Sequence, residues 1–173
     1  MGFDDPLGGR RGETERRIES LPKLIEEASA LALVGAKEHG IRVRFDFDPS
    51  VDLVLADKVQ IQQVALNLIR NAVDAMLDSD KRNLTVTVVP TDNEMALVSV
   101  ADTGPGVSED VAGQLFQPFI TTKRSGMGVG LSISRTIVEA HGGRIWVEAN
   151  EGGGAVFRFT VQRVGKEELI DGG

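Results

Sequence analysis

The spacing of apolar residues divides the chain into helices and strands. Helical spacing predicts an amphipathic helix over residues 22–38 and a second over 57–77, which Asp57 can cap. A third helix is predicted over 129–140, closed by the two glycines after His141. Alternation of apolar and polar residues predicts strands at 41–47, 53–55, 84–89, 95–101, 144–149 and 155–162. Helices and strands mix without strict alternation, which favours an α+β sandwich over a doubly wound sheet.

A single domain is predicted over residues 21–163. Residues 1–20 are predicted to be a tail, because 1–12 are rich in glycine and charge and 13–20 hold one apolar residue, Ile18. Residues 164–173 are predicted to be a frayed C-terminal tail.

Composition narrows the function classes. The net charge of -7 argues against a nucleic-acid partner, because phosphate backbones require basic surfaces. With no cysteine, there is neither a disulfide framework nor a thiol nucleophile. No apolar run approaches the ~20 residues of a membrane span, and the first residues do not resemble a signal peptide. We therefore expect a cytoplasmic chain without membrane contact.

Two asparagines on the second predicted helix are candidates for a magnesium site. Asn67 and Asn71 are four residues apart and share a helix face, and Asp74 lies on roughly the same face. An amide oxygen is a neutral ligand suited to Mg²⁺ beside phosphate oxygens. The alternative is a pair of solvated asparagines, although asparagine is a mediocre helix former.

An aspartate with a glycine-rich turn is a candidate for reading a base. Asp102 ends a predicted strand, and a buried carboxylate there can accept a hydrogen bond from an adenine amino group. Gly104 and Gly106 allow the backbone to approach the purine without a Cβ clash. The alternative is a turn aspartate that caps glycine-rich structure.

Residues 102–128 form a long irregular stretch, apart from a short helical patch near 109–115, which is typical of a functional lid. Phe116 and Phe119 can anchor this lid or simply pack in the core. Lys123, after Thr122, is a candidate phosphate contact or a solvated lysine.

Three alternating glycines precede the last predicted helix. Gly126, Gly128 and Gly130 lead into Leu131, and amides at a helix N-terminus form an anion site. The spacing differs from the dinucleotide fingerprint, and no Lys-Ser/Thr pair follows as in a Walker motif.

In this fixed order, the asparagine pair, the Asp102 turn, the Phe116 segment and the glycine run resemble the nucleotide-binding domain of sensor histidine kinases. This Bergerat fold, also called the GHKL fold, is shared with gyrase, Hsp90-type and MutL-type ATPases. The resemblance covers residues 21–163, and the sequence at 116–123 and 126–135 looks closest to that of FixL-type kinases. It implies a two-layer α/β sandwich with a mixed, largely antiparallel sheet and helices on one face.

The resemblance also implies a ligand, Mg²⁺-ATP, with Asn71 as the metal ligand. The nucleotide-binding residues it implies are Asn67, Asn71, Asp74, Asp102, Gly104, Gly106, Thr122, Lys123, Gly126, Gly128, Gly130 and Leu131. Family members often carry a threonine at the place of Ala155, so the glycine loop before it is assigned no binding residue.

The implied function is the ATP-binding catalytic domain of a two-component sensor histidine kinase. It would transfer the γ-phosphoryl group to a histidine on a separate dimerisation domain, in a homodimeric kinase that serves a response regulator. No catalytic side chain is predicted in this chain, and residues 1–20 would be a remnant of the linker from the acceptor helices. Neither His39 nor His141 resembles the acceptor, since each lies at a helix end beside glycine.

Two alternatives belong to other classes. An ATP-hydrolysing conformational clamp of the same superfamily is disfavoured, because Asn67 stands where the ATPases carry a glutamate that activates water. A nucleotide-binding interaction module without catalysis is disfavoured by the intact motif set.

Overall fold

The computed structural model describes residues 15–116 and 127–165. Four α-helices lie in this part of the chain: α1 Leu21–Ala32, α2 Lys58–Met76, α3 Glu109–Ala112 and α4 Met127–Ala140. The strands there are β1 Arg17–Ser20, β2 Arg42–Phe47, β3 Leu53–Ala56, β4 Asn83–Pro90, β5 Met95–Ala101, β6 Ile145–Ala149 and β7 Ala155–Gln162. No helix in these two ranges has the length and apolar character needed to cross a membrane.

The main sheet has five strands in the order β2-β4-β5-β7-β6. Strands β2 and β4 are parallel, and the other three neighbouring pairs are antiparallel. The parallel pair needs a crossover, which the segment containing β3 and α2 provides. The predicted mixed, largely antiparallel sheet is confirmed.

The core lies between the helices and one face of this sheet. Leu84, Val86 and Val88 of β4 are fully buried, while the alternate residues Thr85 and Thr87 are partly exposed on the other face. The buried residues of α2 are Ile61, Val64, Ala65, Leu68, Ile69, Asn71, Ala72 and Met76. Each large apolar side chain removed from water in this way contributes about 1.5–3 kcal/mol.

Helix α2 begins where the sequence predicts. The Asp57 side chain accepts a hydrogen bond from the backbone N–H of Gln60 at 3.2 Å, so Asp57 is the N-cap. This cap fixes the start of the helix that carries Asn67 and Asn71.

The predicted end of the first helix is wrong. Helix α1 ends at Ala32 rather than near Glu38, and a 3-10 turn at Lys37–His39 follows separately. Gly35 has a φ of 82°, a left-handed conformation that ends an α-helix. Leu31 and Val34, beside this break, remain 65% and 81% exposed.

The sequence predicts that the domain starts at residue 21. Residues 17–20, predicted to be part of a tail, form β1, which pairs antiparallel with β3 from Arg17 opposite Ala56 to Ser20 opposite Leu53. The described fold therefore begins before Leu21. At the other end, the N–H of Val164 donates to the carbonyl of Leu53 at 2.9 Å, next to the last strand.

Candidate nucleotide-binding site

Asn67 joins the middle of α2 to the first turns of α4. Its Nδ2 donates to the carbonyl oxygen of Gly130 and to Oγ of the buried Ser134, each at 3.2 Å. Its Oδ1 accepts a hydrogen bond from Nε2 of Gln63 at 3.0 Å. Because both ends of the amide have partners, Asn67 holds the two helices together at this point.

Asn71 lies one turn further along α2 and has an unmatched donor. The residue is 9% exposed, and its Nδ2 is buried without a hydrogen-bond partner within the described residues. Leaving a buried donor unpaired costs about 1–3 kcal/mol, so such groups usually have a partner. The oxygen of this amide suits Mg²⁺, and its N–H groups suit an anion such as phosphate.

The side chains available as metal ligands also limit how a metal ion can be bound. In the described part of the chain, no group of three or more histidine, aspartate or glutamate side chains is placed to hold a metal ion. One amide oxygen still fits Mg²⁺, because this ion keeps several waters and binds together with phosphate oxygens. Asp74, predicted for the same face, is exposed and makes no hydrogen bond to Asn71 among the described contacts.

Asp102 follows the end of β5 and is almost completely buried, with 2% of its surface exposed. Its Oδ1 accepts hydrogen bonds from the N–H groups of Gly104 at 2.9 Å and Ala155 at 3.2 Å. Burial raises the pKa of this carboxyl, and the two hydrogen bonds oppose the rise only in part. Within the described residues no hydrogen bond reaches Oδ2, which leaves one acceptor oxygen for a ligand donor.

The loop between β6 and β7 holds Asp102 in place, which the sequence did not predict. Asn150 Nδ2 donates to the carbonyl oxygen of Asp102 at 2.7 Å, and the N–H of Asp102 donates to the carbonyl of Ala155 at 2.9 Å. A Cβ on Gly154 would come within 2.0 Å of the same Asp102 oxygen. The run of three glycines before Ala155 was the sequence signal for this close approach.

Gly104 and Gly106 pack against protein backbone. A Cβ on Gly104 would lie 2.9 Å from the carbonyl oxygen of Ala75. Gly106 has a φ of 83°, and its Cβ would lie 3.1 Å from the carbonyl oxygen of Gly154. The turn after Asp102 therefore lies against the last turn of α2, one turn beyond Asn71. Asp102 and Asn71, each with a polar atom that has no described partner, thus belong to one region.

A family model described as histidine kinase-, DNA gyrase B- and HSP90-like ATPase matches residues 56–165. The chain belongs to this ATPase family. The fold and family expected from the sequence are thereby confirmed.

Similar proteins narrow the family to sensor kinases. The sensor protein FixL of Bradyrhizobium diazoefficiens is 61% identical over 151 residues, which are 87% of this chain and 30% of FixL. The sensor histidine kinase TmoS of Ectopseudomonas mendocina is 35% identical over 155 residues, 88% of this chain and 16% of TmoS. The chain thus spans less than a third of the length of these relatives.

Two solved structures show the same fold. The nucleotide-free catalytic domain of histidine kinase ThkA has a TM-score of 0.78 and 35% identity, with 86% of this chain and 96% of that one covered. Full-length ShkA in complex with AMPPNP has a TM-score of 0.76 and 30% identity, covering 88% of this chain and 32% of ShkA. The chain therefore corresponds to the ATP-binding catalytic domain found in sensor histidine kinases.

The remaining residues that the kinase resemblance implies are only partly described. Thr122, Lys123 and Gly126 lie outside the described residues, as does Phe119. Helix α4 begins at Met127, two residues earlier than predicted, so Gly128 and Gly130 belong to its first turn. Leu131 is fully buried, so its side chain is part of the core and only its backbone is suited to contact a ligand.

Phe116 packs in the core of this kinase domain. It is 9% exposed, and its ring meets that of Phe157 edge to face with centroids 6.2 Å apart. This contact fixes the described end of the segment that leads towards the glycine run.

The two histidines of the kinase domain differ in exposure. His39 is exposed at the end of the 3-10 turn. His141 is 2% exposed, and both of its ring nitrogens have hydrogen-bond partners. Burial lowers the pKa of His141, so its neutral form is favoured. An acceptor of phosphate must be reachable, and His141 is not.

Proposed function

We propose that this chain binds Mg²⁺-ATP and presents the γ-phosphoryl group to a histidine on a separate dimerisation domain of the same kinase. The observation that carries the proposal is a pair of polar side chains beside the end of α2, each with a polar atom that has no described partner. Asp102 has one acceptor oxygen without a described partner, and Asn71 has a buried donor without one.

Asp102 is the residue that selects adenine in this proposal. Its free oxygen would accept a hydrogen bond from the amino group of adenine, while its other oxygen stays fixed by two backbone amides. A guanine has a carbonyl oxygen at the corresponding place, so two acceptors would face each other. A buried site of this kind discriminates strongly, because the wrong base leaves the carboxylate unpaired.

Asn71 and the start of α4 would hold the phosphates. The oxygen of Asn71 would bind Mg²⁺, and its N–H groups would donate to phosphate oxygens. Backbone amides at the first turn of α4, near Gly128 and Gly130, would add further donors at a helix N-terminus. Mg²⁺, when bound, supplies neutralisation of the negative charge on the phosphates.

The chain's own part in phosphoryl transfer would be positioning. The acceptor histidine nitrogen forms a bond to the γ-phosphorus, the bond from that phosphorus to the bridging oxygen breaks, and ADP leaves. Asn67 cannot take a proton from water, because an amide is no general base and both of its ends are engaged. Transfer to a positioned histidine is therefore favoured over hydrolysis.

The partners follow from the same proposal. A homodimeric kinase would supply the histidine-bearing domain, and a response regulator would receive the phosphoryl group. One solved relative, ThkA, forms a complex with the response regulator protein TrrA. A cytoplasmic location is part of the proposal, because ATP is supplied there.

A transfer assay in trans tests the proposal. The chain is incubated with γ-labelled ATP, alone and with a separately produced histidine-bearing dimerisation domain of a FixL-type kinase. The expected result is acid-labile label on the added domain and none on the chain. Label on the chain itself at His39 or His141, or no transfer by a chain that binds ATP, would contradict it.

A further inference from the structure

His141 connects the C-terminal end of α4 to the N-terminal end of α2. Its Nε2 accepts a hydrogen bond from the backbone N–H of Asp57 at 3.0 Å. Its Nδ1 lies 2.9 Å from the carbonyl oxygen of Ile137 and donates to it, since the other nitrogen is the acceptor. The neutral ring, protonated on Nδ1, therefore satisfies both contacts at once.

Within the described residues, this contact is one of two polar contacts that connect α2 to α4. The other is made by Asn67, which binds Gly130 and Ser134 near the start of α4. Since α2 carries Asn67 and Asn71 and α4 carries the glycine run, the two contacts hold α2 against α4 at two separate points, of which the Asn67 contact is the nearer to the phosphate region. Both contacts are buried on the α4 side, because Ser134 and His141 are 0% and 2% exposed.

Asp57 connects other segments of the chain in addition to capping α2. The carboxylate of Asp57 caps α2 through Gln60, and its other oxygen accepts the N–H of Glu15 at 3.1 Å. Its own N–H is the group that binds His141. Asp57 thus joins the segment before β1, the start of α2 and the end of α4, at the place where the chain enters the domain.

We propose that His141 is a positioning residue, whose contact with Asp57 sets the placement of α2 against α4 and thereby the nucleotide affinity of the site. The inference rests on the proposed binding of Mg²⁺-ATP. It predicts that loss of the acceptor at Nε2 weakens the binding of Mg²⁺-ATP from a distance, although His141 contacts none of the residues proposed to bind the nucleotide.

Two substitutions separate the hydrogen bond from the volume of the ring. His141→Gln retains an acceptor near the position of Nε2, whereas His141→Leu fills the space without one. Mg²⁺-ATP affinity is measured by titration calorimetry, and stability by urea unfolding. We expect His141→Leu to weaken affinity about 5- to 10-fold, the low end of the range for coupling between separate sites, and His141→Gln to remain within about twofold.

Val138→Ala is the matched control for general loosening of α4. Val138 is fully buried on the same helix, and its truncation leaves both polar contacts intact. We expect lower stability with affinity within about twofold of the wild type. If Val138→Ala weakens affinity as much as His141→Leu does, the effect is loss of packing and the inference is overturned.

Other outcomes are equally decisive. Equal Mg²⁺-ATP affinity in the wild type and His141→Leu would overturn this inference and leave the proposed function standing. A folded wild type that does not bind Mg²⁺-ATP would overturn both. Should His141→Leu not fold, His141→Asn takes its place, because its amide can donate towards Ile137 and is too short to reach Asp57.

Discussion

Replacing Asp102 with asparagine tests how the base is read while disturbing the protein least. The oxygen of the new amide can keep the two hydrogen bonds from Gly104 and Ala155, which measure 2.9 and 3.2 Å. The amide nitrogen then takes the place of the free carboxylate oxygen. For ATP, a donor faces the adenine amino group where an acceptor stood, so one hydrogen bond is lost.

The magnitude follows from the burial of this group. Asp102 is 2% exposed, so water does not replace the lost contact, and an unmatched buried donor costs about 1–3 kcal/mol. That free energy corresponds to a roughly 5- to 150-fold weaker affinity for ATP. GTP offers an acceptor at the same place and gains from the new donor, so the preference for ATP over GTP should narrow by at least about 5-fold.

Titration calorimetry with ATP and GTP, in wild type and Asp102→Asn, measures this preference. Asp48→Asn is the matched control, because Asp48 also accepts two hydrogen bonds, both from Ser50, yet is partly exposed and lies in a separate turn. It should leave both affinities unchanged. Burial raises the pKa of Asp102, so removal of its charge should not destabilise the fold. A folded Asp102→Asn variant with an unchanged ATP to GTP ratio would refute the adenine assignment.

Three further variants test the metal ligand, the turn after Asp102 and the buried histidine. Asn71→Ala should remove the Mg²⁺-dependent part of ATP affinity, which calorimetry with and without Mg²⁺ measures. Because the substitution also removes an unmatched donor, it should change the free energy of unfolding in urea by less than about 1 kcal/mol. Gly104→Ala places a Cβ 2.9 Å from the Ala75 carbonyl and should destabilise the fold by about 1–3 kcal/mol, whereas Gly165→Ala, with open space, should not. Burial lowers the pKa of His141, so below about pH 6.5 the unfolded chain binds the proton first. The stability advantage of wild type over His141→Gln should therefore shrink from pH 7.5 to 5.5; an advantage independent of pH would refute it.

Local patterns were sufficient to predict most of the architecture. The apolar stripe of α2 and the alternation in β4 and β5 are periodic over many residues, and a periodic face must be buried. Asp57 was predicted as a cap from its place before that stripe, and it is one. The Asn67 and Asn71 pair and the Asp102 turn are predicted as candidate site residues because their motifs are local.

What the sequence missed depends on contacts between distant segments. Strand β1 is polar and pairs through its backbone with β3, so it leaves no apolar alternation to detect. The support of Asp102 by Asn150 and Gly154 spans about fifty residues, and the contact of His141 with Asp57 spans 84. At such separations along the chain, the type of a residue does not indicate which backbone groups its side chain contacts.

Titration of the wild-type chain with ATP and GTP, each with and without Mg²⁺, tests the proposed binding of Mg²⁺-ATP. We expect micromolar-range binding of ATP, on the order of 10⁻⁶ M in Kd, that Mg²⁺ strengthens, and much weaker binding of GTP. Mg²⁺ dependence reports on the amide of Asn71, and base preference reports on the buried carboxylate of Asp102. Equal affinity for ATP and GTP, or no binding of either by the folded chain, would contradict it.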